Sequence, residues 1–297
     1  MADNAIAAET FDASATKTRG HRYLYFLALC FGCAGLVPAA QGGHLPLWEL
    51  GIGIGALNTP HYRGSNSEAD VVLPFPYIIY RGSFLQIDRE DGVRGKLFNA
   101  EAVRIDLSLA GNLPVPDTDE GARSGMEALD PLVEAGAELI IDLWHSTPRV
   151  HSFGFNVPVR LVYSVGDPLL EFQGVTVSPY LNYKIRQENH GVLMRYSASV
   201  GPIFASSRYH DYFYEVEPEF VTPQRGEYRP GGGYGGSRVT LSVTRHTKKF
   251  MIGAYARYDN LERAVFADSP LVETDDFFIL GVVFGWVLGA ADETVDH

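Results

Sequence analysis

The stretch Phe278-Ile-Leu-Gly-Val-Val-Phe-Gly-Trp-Val-Leu288 decides the fold. Phe278, Leu280, Val282, Phe284, Trp286 and Leu288 fall on one face of an extended chain, and Gly281 and Gly285 fall on the other. Period-two alternation over this length is the signature of a strand with two unlike faces. The first such segment repeats the scheme, with Trp48, Leu50, Ile52, Ile54 and Ala56 alternating with Glu49, Gly51, Gly53 and Gly55. Between them lie Val103-Arg-Ile-Asp-Leu-Ser-Leu109, Ala137-Glu-Leu-Ile-Ile-Asp-Leu143, Val157-Pro-Val-Arg-Leu161, 175–186 and Arg238-Val-Thr-Leu-Ser-Val-Thr244. In each, one face is apolar and the other is polar or charged.

Two architectures produce such strands. A soluble sandwich or barrel turns the apolar face inward, whereas a transmembrane barrel turns it to lipid and keeps polar groups in its lumen. Several segments reach ten residues or more, the length a tilted strand needs to cross the hydrocarbon. Strands are expected near 48–58, 71–80, 83–89, 93–98, 102–112, 137–145, 155–165, 174–186, 191–204, 237–246, 249–259 and 276–288. The connections between them then alternate between long (59–70, 113–136, 166–173, 205–236, 260–275) and short, as in outer-membrane barrels. The exceptions are the short turn at Glu90-Asp91-Gly92 and a longer one at 146–154. The expectation is an antiparallel transmembrane β-barrel of 12 strands, with short periplasmic turns and long extracellular loops. A ten-stranded reading that treats 81–100 as an excursion stays open.

The N-terminal stretch from Tyr23 to Val37 is the most apolar of the chain. It is preceded by Lys17, Arg19 and Arg22 and followed by Val37-Pro38-Ala39. At 15 to 18 residues with Gly32 and Gly35 inside, it falls short of the roughly 20 needed for a spanning helix. It reads as a signal peptide, residues 1–39, with cleavage near Ala39. Leu29 before Cys30, or Cys30 three residues before Cys33, makes a poor lipidation box. The barrel is then assigned to 40–288 and a polar C-terminal tail to 289–297. Cys30 and Cys33 are the two cysteines of the 297-residue chain, so the mature protein carries none. That excludes disulfides and thiolate metal sites. Cleavage removes Asp3, Glu9 and Asp12 with Lys17, Arg19 and Arg22, so the net charge stays at −12. With no basic run to neutralise phosphates, nucleic acid is not an expected partner.

No catalytic, metal or cofactor site is expected, and no cofactor. Gly231, Gly233 and Gly236 match a dinucleotide-binding spacing, but an alternating strand follows where a helix is required, so the segment reads as a flexible loop. His210, Asp211, Glu215, Glu217 and Glu219 bring together acid and imidazole, yet the acids fit a strand exposing Glu at every second position and no nucleophile accompanies them. The candidate functional residues are instead the charges of the polar faces: Arg104, Asp106, Glu138, Asp142, Arg160, Lys184, Arg195, Arg238 and Arg257 are expected to line the lumen. With Asp259 they either form a pore or pair across the lumen and close it.

Four stretches carry a family resemblance. They are Trp48-Glu-Leu-Gly-Ile-Gly-Ile-Gly-Ala-Leu-Asn-Thr-Pro-His-Tyr-Arg-Gly64; Leu73-Pro-Phe-Pro-Tyr77 with Tyr80-Arg-Gly82; Arg208-Tyr-His-Asp-Tyr-Phe-Tyr214; and Tyr258-Asp-Asn260 with Val265-Phe-Ala-Asp-Ser-Pro-Leu271. Together they resemble the MipA/OmpV family of Gram-negative outer-membrane proteins over about residues 47 to 288. The resemblance implies an outer-membrane barrel embedded in lipid. It further implies a scaffold linking a lytic transglycosylase to a murein-synthesising penicillin-binding protein, or a porin-like or adhesin-like role. The chain departs from outer-membrane barrels in its C-terminus. These usually end on an aromatic residue, whereas here a polar tail follows Leu288, leaving Phe284 and Trp286 as an internal version of that signal.

Overall fold

A computed structural model describes residues 45–82, 85–87, 93–99, 102–117 and 121–295. The expected signal peptide lies outside the described residues. Two short strands, β1 (Leu45–Pro46) and β15 (Thr294–Val295), pair with each other. All other strands belong to one antiparallel sheet. In chain order these are β2 (Trp48–Pro60), β3 (Glu68–Arg81), β4 (Leu85–Ile87), β5 (Val93–Asn99), β6 (Val103–Asn112), β7 (Leu132–His145), β8 (His151–Ser164), β9 (Glu171–Val177), β10 (Tyr180–Asn189), β11 (Val192–Ala205), β12 (Gly233–His246), β13 (Phe250–Asn260) and β14 (Asp276–Ala290). No helix among the described residues is long and apolar enough to cross a membrane.

β9 and β10 are one strand broken at Ser178-Pro179. Val177 sits opposite Val159 of β8, and Tyr180 sits opposite Asn156 three positions along, so the register runs through the break. β11 likewise pairs with both pieces in a single register, Val177 with Phe204 and Leu181 with Val200. Proline has no N–H for the ladder, which explains the interruption. With β9 and β10 counted together, twelve strands each pair with the next, and β14 pairs back onto β2 from Leu280↔Asn58 to Ala290↔Glu49. The sheet is therefore a closed up-and-down barrel, as the alternation predicted, and the ten-stranded reading drops out.

The outward face is apolar: Ile52 is 59% exposed, Val282 50% and Trp286 57%. At several inward positions of β2 and β14 glycine stands where large rings from neighbouring strands cross the wall. A side chain at Gly53 meets the ring of Phe75, one at Gly281 meets Tyr255, and one at Gly285 meets Tyr77.

Long and short connections fall at opposite ends. The long-loop end carries 61–67, 113–131, 165–170, 206–232 and 261–275, and the short-turn end carries 146–150, 190–191, 247–249 and the β1–β15 clasp. The expected exception at 146–154 shrinks to five residues because β8 begins at His151. There Ser146 Oγ accepts from the N–H groups of Val150 and His151 at 3.1 and 3.0 Å and closes the turn. The turn at Glu90-Asp91-Gly92 lies outside the described residues.

Candidate functional site

The long loops fold into the barrel mouth. Helix α1 (Ser207–Tyr214) buries Tyr209, His210, Phe213 and Tyr214, residues spaced at i and i+4 that share one face. Tyr209, Phe213 and Tyr214 form a single apolar cluster with Tyr62, Val115, Leu132, Val162, Leu261, Phe266, Phe277 and Ile279, drawn from loops and from strands around the ring. Tyr214 stacks on Phe266 with centroids 3.8 Å apart and planes 7° from parallel. His210 meets Phe266 edge-on at 4.9 Å, and its Nδ1–H donates to the Gly231 carbonyl at 2.8 Å. Hydroxyl groups tie the layer to loop backbones: Tyr62 to Leu271 O at 2.7 Å and Tyr214 to Arg63 O at 2.9 Å. Arg225 clamps two loops together through Phe220 O, Ala122 O and Ser124 O at 2.8 to 2.9 Å. Burial dominates the electrostatics here. It raises the Tyr214 phenol, pushes Tyr209 up to about 12 and lowers the His210 imidazole, each shift favouring the neutral form.

Beneath the cap, Asp259 is 0% exposed and accepts from three arginines. Arg238, directly opposite on β12, donates at 2.9 and 3.0 Å, Arg257 at 2.8 and 2.9 Å, and Arg63 from the 61–67 loop at 2.9 Å. Two of the expected lumen cations thus converge on one carboxylate, and the paired arrangement is the one present at this site.

Across the interior, β6, β7, β8 and β10 carry a second network. Glu138 accepts from Asn156 at 2.6 Å, Tyr180 at 2.7 Å and Ser108 at 3.3 Å, and Asn156 is bonded in turn by Asn182. Arg160 donates to Ser108 at 2.9 Å and approaches Glu134 at 3.8 Å. Arg104 approaches Asp106 at 3.4 Å and Asp142 at 3.5 Å. Arg104, Glu138, Asp142, Arg160 and Lys184 line one cavity of about 360 Å³. Arg195 stands apart: it lies opposite Arg186 in register and forms no ion pair with a described residue.

A third cluster holds the short-turn end. Glu49 (3% exposed) binds Arg81 at 2.7 Å and His246 at 2.9 Å, and Arg81 donates to Pro46 O at 2.6 Å, bracing the β1–β15 clasp. Sequence reasoning missed this cluster, although Glu49 stands alone among inward-facing glycines of β2, a signal that was there to read. Arg63 carried no such signal, because a loop residue has no periodicity.

Two other expectations are corrected. The alternating acids do not form a strand: Glu215 ends α1, which carries His210 and Asp211, and Glu217 precedes a single 3-10 turn at Pro218–Phe220; within this run only Val216 makes a bridge, to Tyr228. Aromatic residues at helical spacing outweighed the short run of alternating glutamates that follows. Gly233 and Gly236 lie in β12 rather than in a loop, and Gly235 packs close to His210 and Phe266. Among the described residues no group of three or more His, Cys, Asp or Glu is placed to hold a metal ion.

A family model described as "MltA-interacting protein MipA" matches residues 52–288, which run from β2 to β14 and so take in the whole ring. The chain belongs to the MipA family. No curated protein matches it. Within this MipA-family barrel, the stretches Arg208–Tyr214 and Val265–Leu271 supply α1 and the loop it stacks on, so the residues that carry the resemblance also build the cap.

Proposed function

We propose that this MipA-family chain is an exported outer-membrane barrel that holds a lytic transglycosylase and a penicillin-binding protein together during murein assembly. The observation that carries this reading is the family match over 52–288, whose description names interaction with MltA. Several features support the placement: the closed antiparallel ring, the outward belt of Leu50, Ile52, Ile54, Val282, Phe284 and Trp286, and the segregation of long and short connections. In this reading residues 1–39 are removed on export and the short-turn end faces the periplasm. The aromatic layer across the mouth and the three arginines on Asp259 favour a barrel that acts by holding partners rather than by passing solutes.

A standard interface needs about 800 Å² from each partner, more than tight turns offer. The partner surface is therefore assigned to the short-turn end, on the β1–β15 clasp and the 247–249 turn beside it, where the clasp adds area to the turn. Co-purification in mild detergent tests the scaffold: a lytic transglycosylase should accompany the barrel, and repeated failure to recover one overturns the reading. The polar cavity beside Glu138 favours a small-solute channel as the second reading. Reproducible conductance in planar bilayers, abolished by changing Arg160 or Arg195, establishes the channel against a pure scaffold.

A further inference from the structure

Beneath the cap, three guanidinium groups share a single carboxylate. Among the described residues Asp259 is the only acid in ion-pair contact with Arg63, Arg238 or Arg257. Glu134, bonded by Asn112 at 3.5 Å, has its own cation in Arg160 at 3.8 Å. Four arginines thus face two carboxylates, and two positive charges keep no counter-charge. Arg63 shows the deficit at the level of one atom. Its Nε donates to Asp259 at 2.9 Å, while its Nη2 is buried and donates to no described residue. A guanidinium has only donors to offer, and a buried donor left without an acceptor is unfavourable.

Beside these arginines lies a cavity of about 220 Å³. Arg63 and Arg257 form its charged side, and no described Asp or Glu lines it. Most of the remaining wall is apolar or aromatic: Leu57 of β2, Phe277 and Ile279 of β14, and Tyr209, Phe213 and Tyr214 of α1. An apolar hollow with a few polar groups gathered on one side is the usual form of a small-molecule site. The volume is smaller than the roughly 300–1,000 Å³ of drug-sized sites and larger than the roughly 150 Å³ that takes up benzene. It therefore suits a single ring with a small substituent. Asn112 shares the inward face of β6 with Asp106 and Ser108 and is nevertheless exposed, so the cavity opens past the end of β6.

We propose that this cavity binds a small aromatic carboxylate, with its ring between α1 and the β2–β14 wall and its carboxylate against the guanidinium groups of Arg63 and Arg257. The two carboxylate oxygens match the planar guanidinium fork and supply the acceptor that Arg63 Nη2 lacks. The proposal does not depend on any protein partner, so its failure leaves the scaffold reading untouched.

Calorimetric titration of the full barrel in detergent micelles tests it, with benzoate as probe. Benzamide, which keeps the ring without the charge, and acetate, which keeps the charge without the ring, serve for comparison. Saturable binding of one benzoate per chain is expected, at least roughly tenfold tighter than either, as one hydrogen bond to a charged group warrants. Arg63→Gln should weaken it by roughly tenfold, and Arg229→Gln, in the 206–232 loop, should leave it unchanged. The parent barrel gives a second measurement that needs no variant: saturating benzoate should slow trypsin cleavage at Arg63, and acetate should not. The proposal is overturned by absence of saturable benzoate binding, by equal binding of benzamide or acetate, by cleavage at Arg63 that benzoate leaves unchanged, or by an Arg63→Gln barrel that binds like its parent.

Discussion

Replacing Asp259 with asparagine keeps the shape of the side chain and removes the charge on which three arginines converge. Five donor contacts between 2.8 and 3.0 Å end on the two oxygens of Asp259. The asparagine amide retains one acceptor oxygen and turns two N–H donors towards guanidinium groups that have only donors to offer. Breaking a buried ion pair by removing one partner costs about 3–5 kcal/mol. Arg238, with its side chain 35% exposed, recovers part of its loss through water, which places the net effect near the lower figure, about 3 kcal/mol. Because Arg63 is the only one of the three from a loop, the damage should spread to the cap first. Urea unfolding in lipid vesicles, followed by tryptophan fluorescence, reads the global loss, and limited trypsin cleavage at Arg63 reads the local one. In the double variant with Arg238→Gln the losses should be strongly non-additive, since the second change relieves a repulsion created by the first. A global loss below about 0.5 kcal/mol, the level of ordinary surface substitutions, or simple additivity with Arg238→Gln, refutes the account.

Other expectations follow from separate parts of the barrel. Ile54→Arg puts a charge at the middle of β2 on the outward face, where a lipid-embedded barrel should lose about 2–4 kcal/mol and a soluble one almost nothing; folding yield into vesicles distinguishes them. Phe266→Ala removes the ring stacked on Tyr214 and should cost about 3–5 kcal/mol, seen as rapid proteolysis of the 206–232 and 261–275 loops on a barrel that stays closed. Burial, joined by the nearby positive charge of Arg63, holds the His210 imidazole below its ordinary value, while the Gly231 carbonyl partly opposes the shift. The unfolded cap therefore takes up a proton more readily than the folded one. Cap stability should be flat above pH of about 6.5 and decline as pH falls below it. His210→Gln should flatten that decline in protease-protection measurements across the range, and an unchanged pH profile contradicts the assignment.

The fold was largely legible because a barrel wall has to show two faces, and the alternation in 48–56 and 278–288 records them directly. Boundaries were less legible where the pattern faded. β7 starts at Leu132 rather than near 137 because its Glu134 and Gly136 positions face inward beside small or apolar neighbours and blur the contrast. β12 starts at Gly233 because glycines carry no face at all. Interior charges were readable as a set but not as partners. Arg238 and Asp259 are far apart in sequence and meet through strand register, and Arg63 arrives from a loop whose path no periodicity describes. The cap was the least visible part. Its core is assembled from loops that each look polar or irregular alone, and only α1, with Tyr209, Phe213 and Tyr214, carried a local pattern that could have announced it.

The β14–β2 seam constrains the order of events in the life of the chain. β2 is the first long strand to be made and β14 the last, so the ring cannot close until almost all of the sequence exists. Until then both strands present unpaired edges, the kind of surface that invites association with other chains. Contacts this distant in sequence also form slowly, because the intervening loop must be closed before they stabilise anything. A chain truncated before Asp276 loses more than β14 and β15: it leaves β2 and β13 as permanent open edges. The β1–β15 clasp, braced through Arg81 and Glu49, then acts as the latch that is set last, once the two ends of the barrel have found each other.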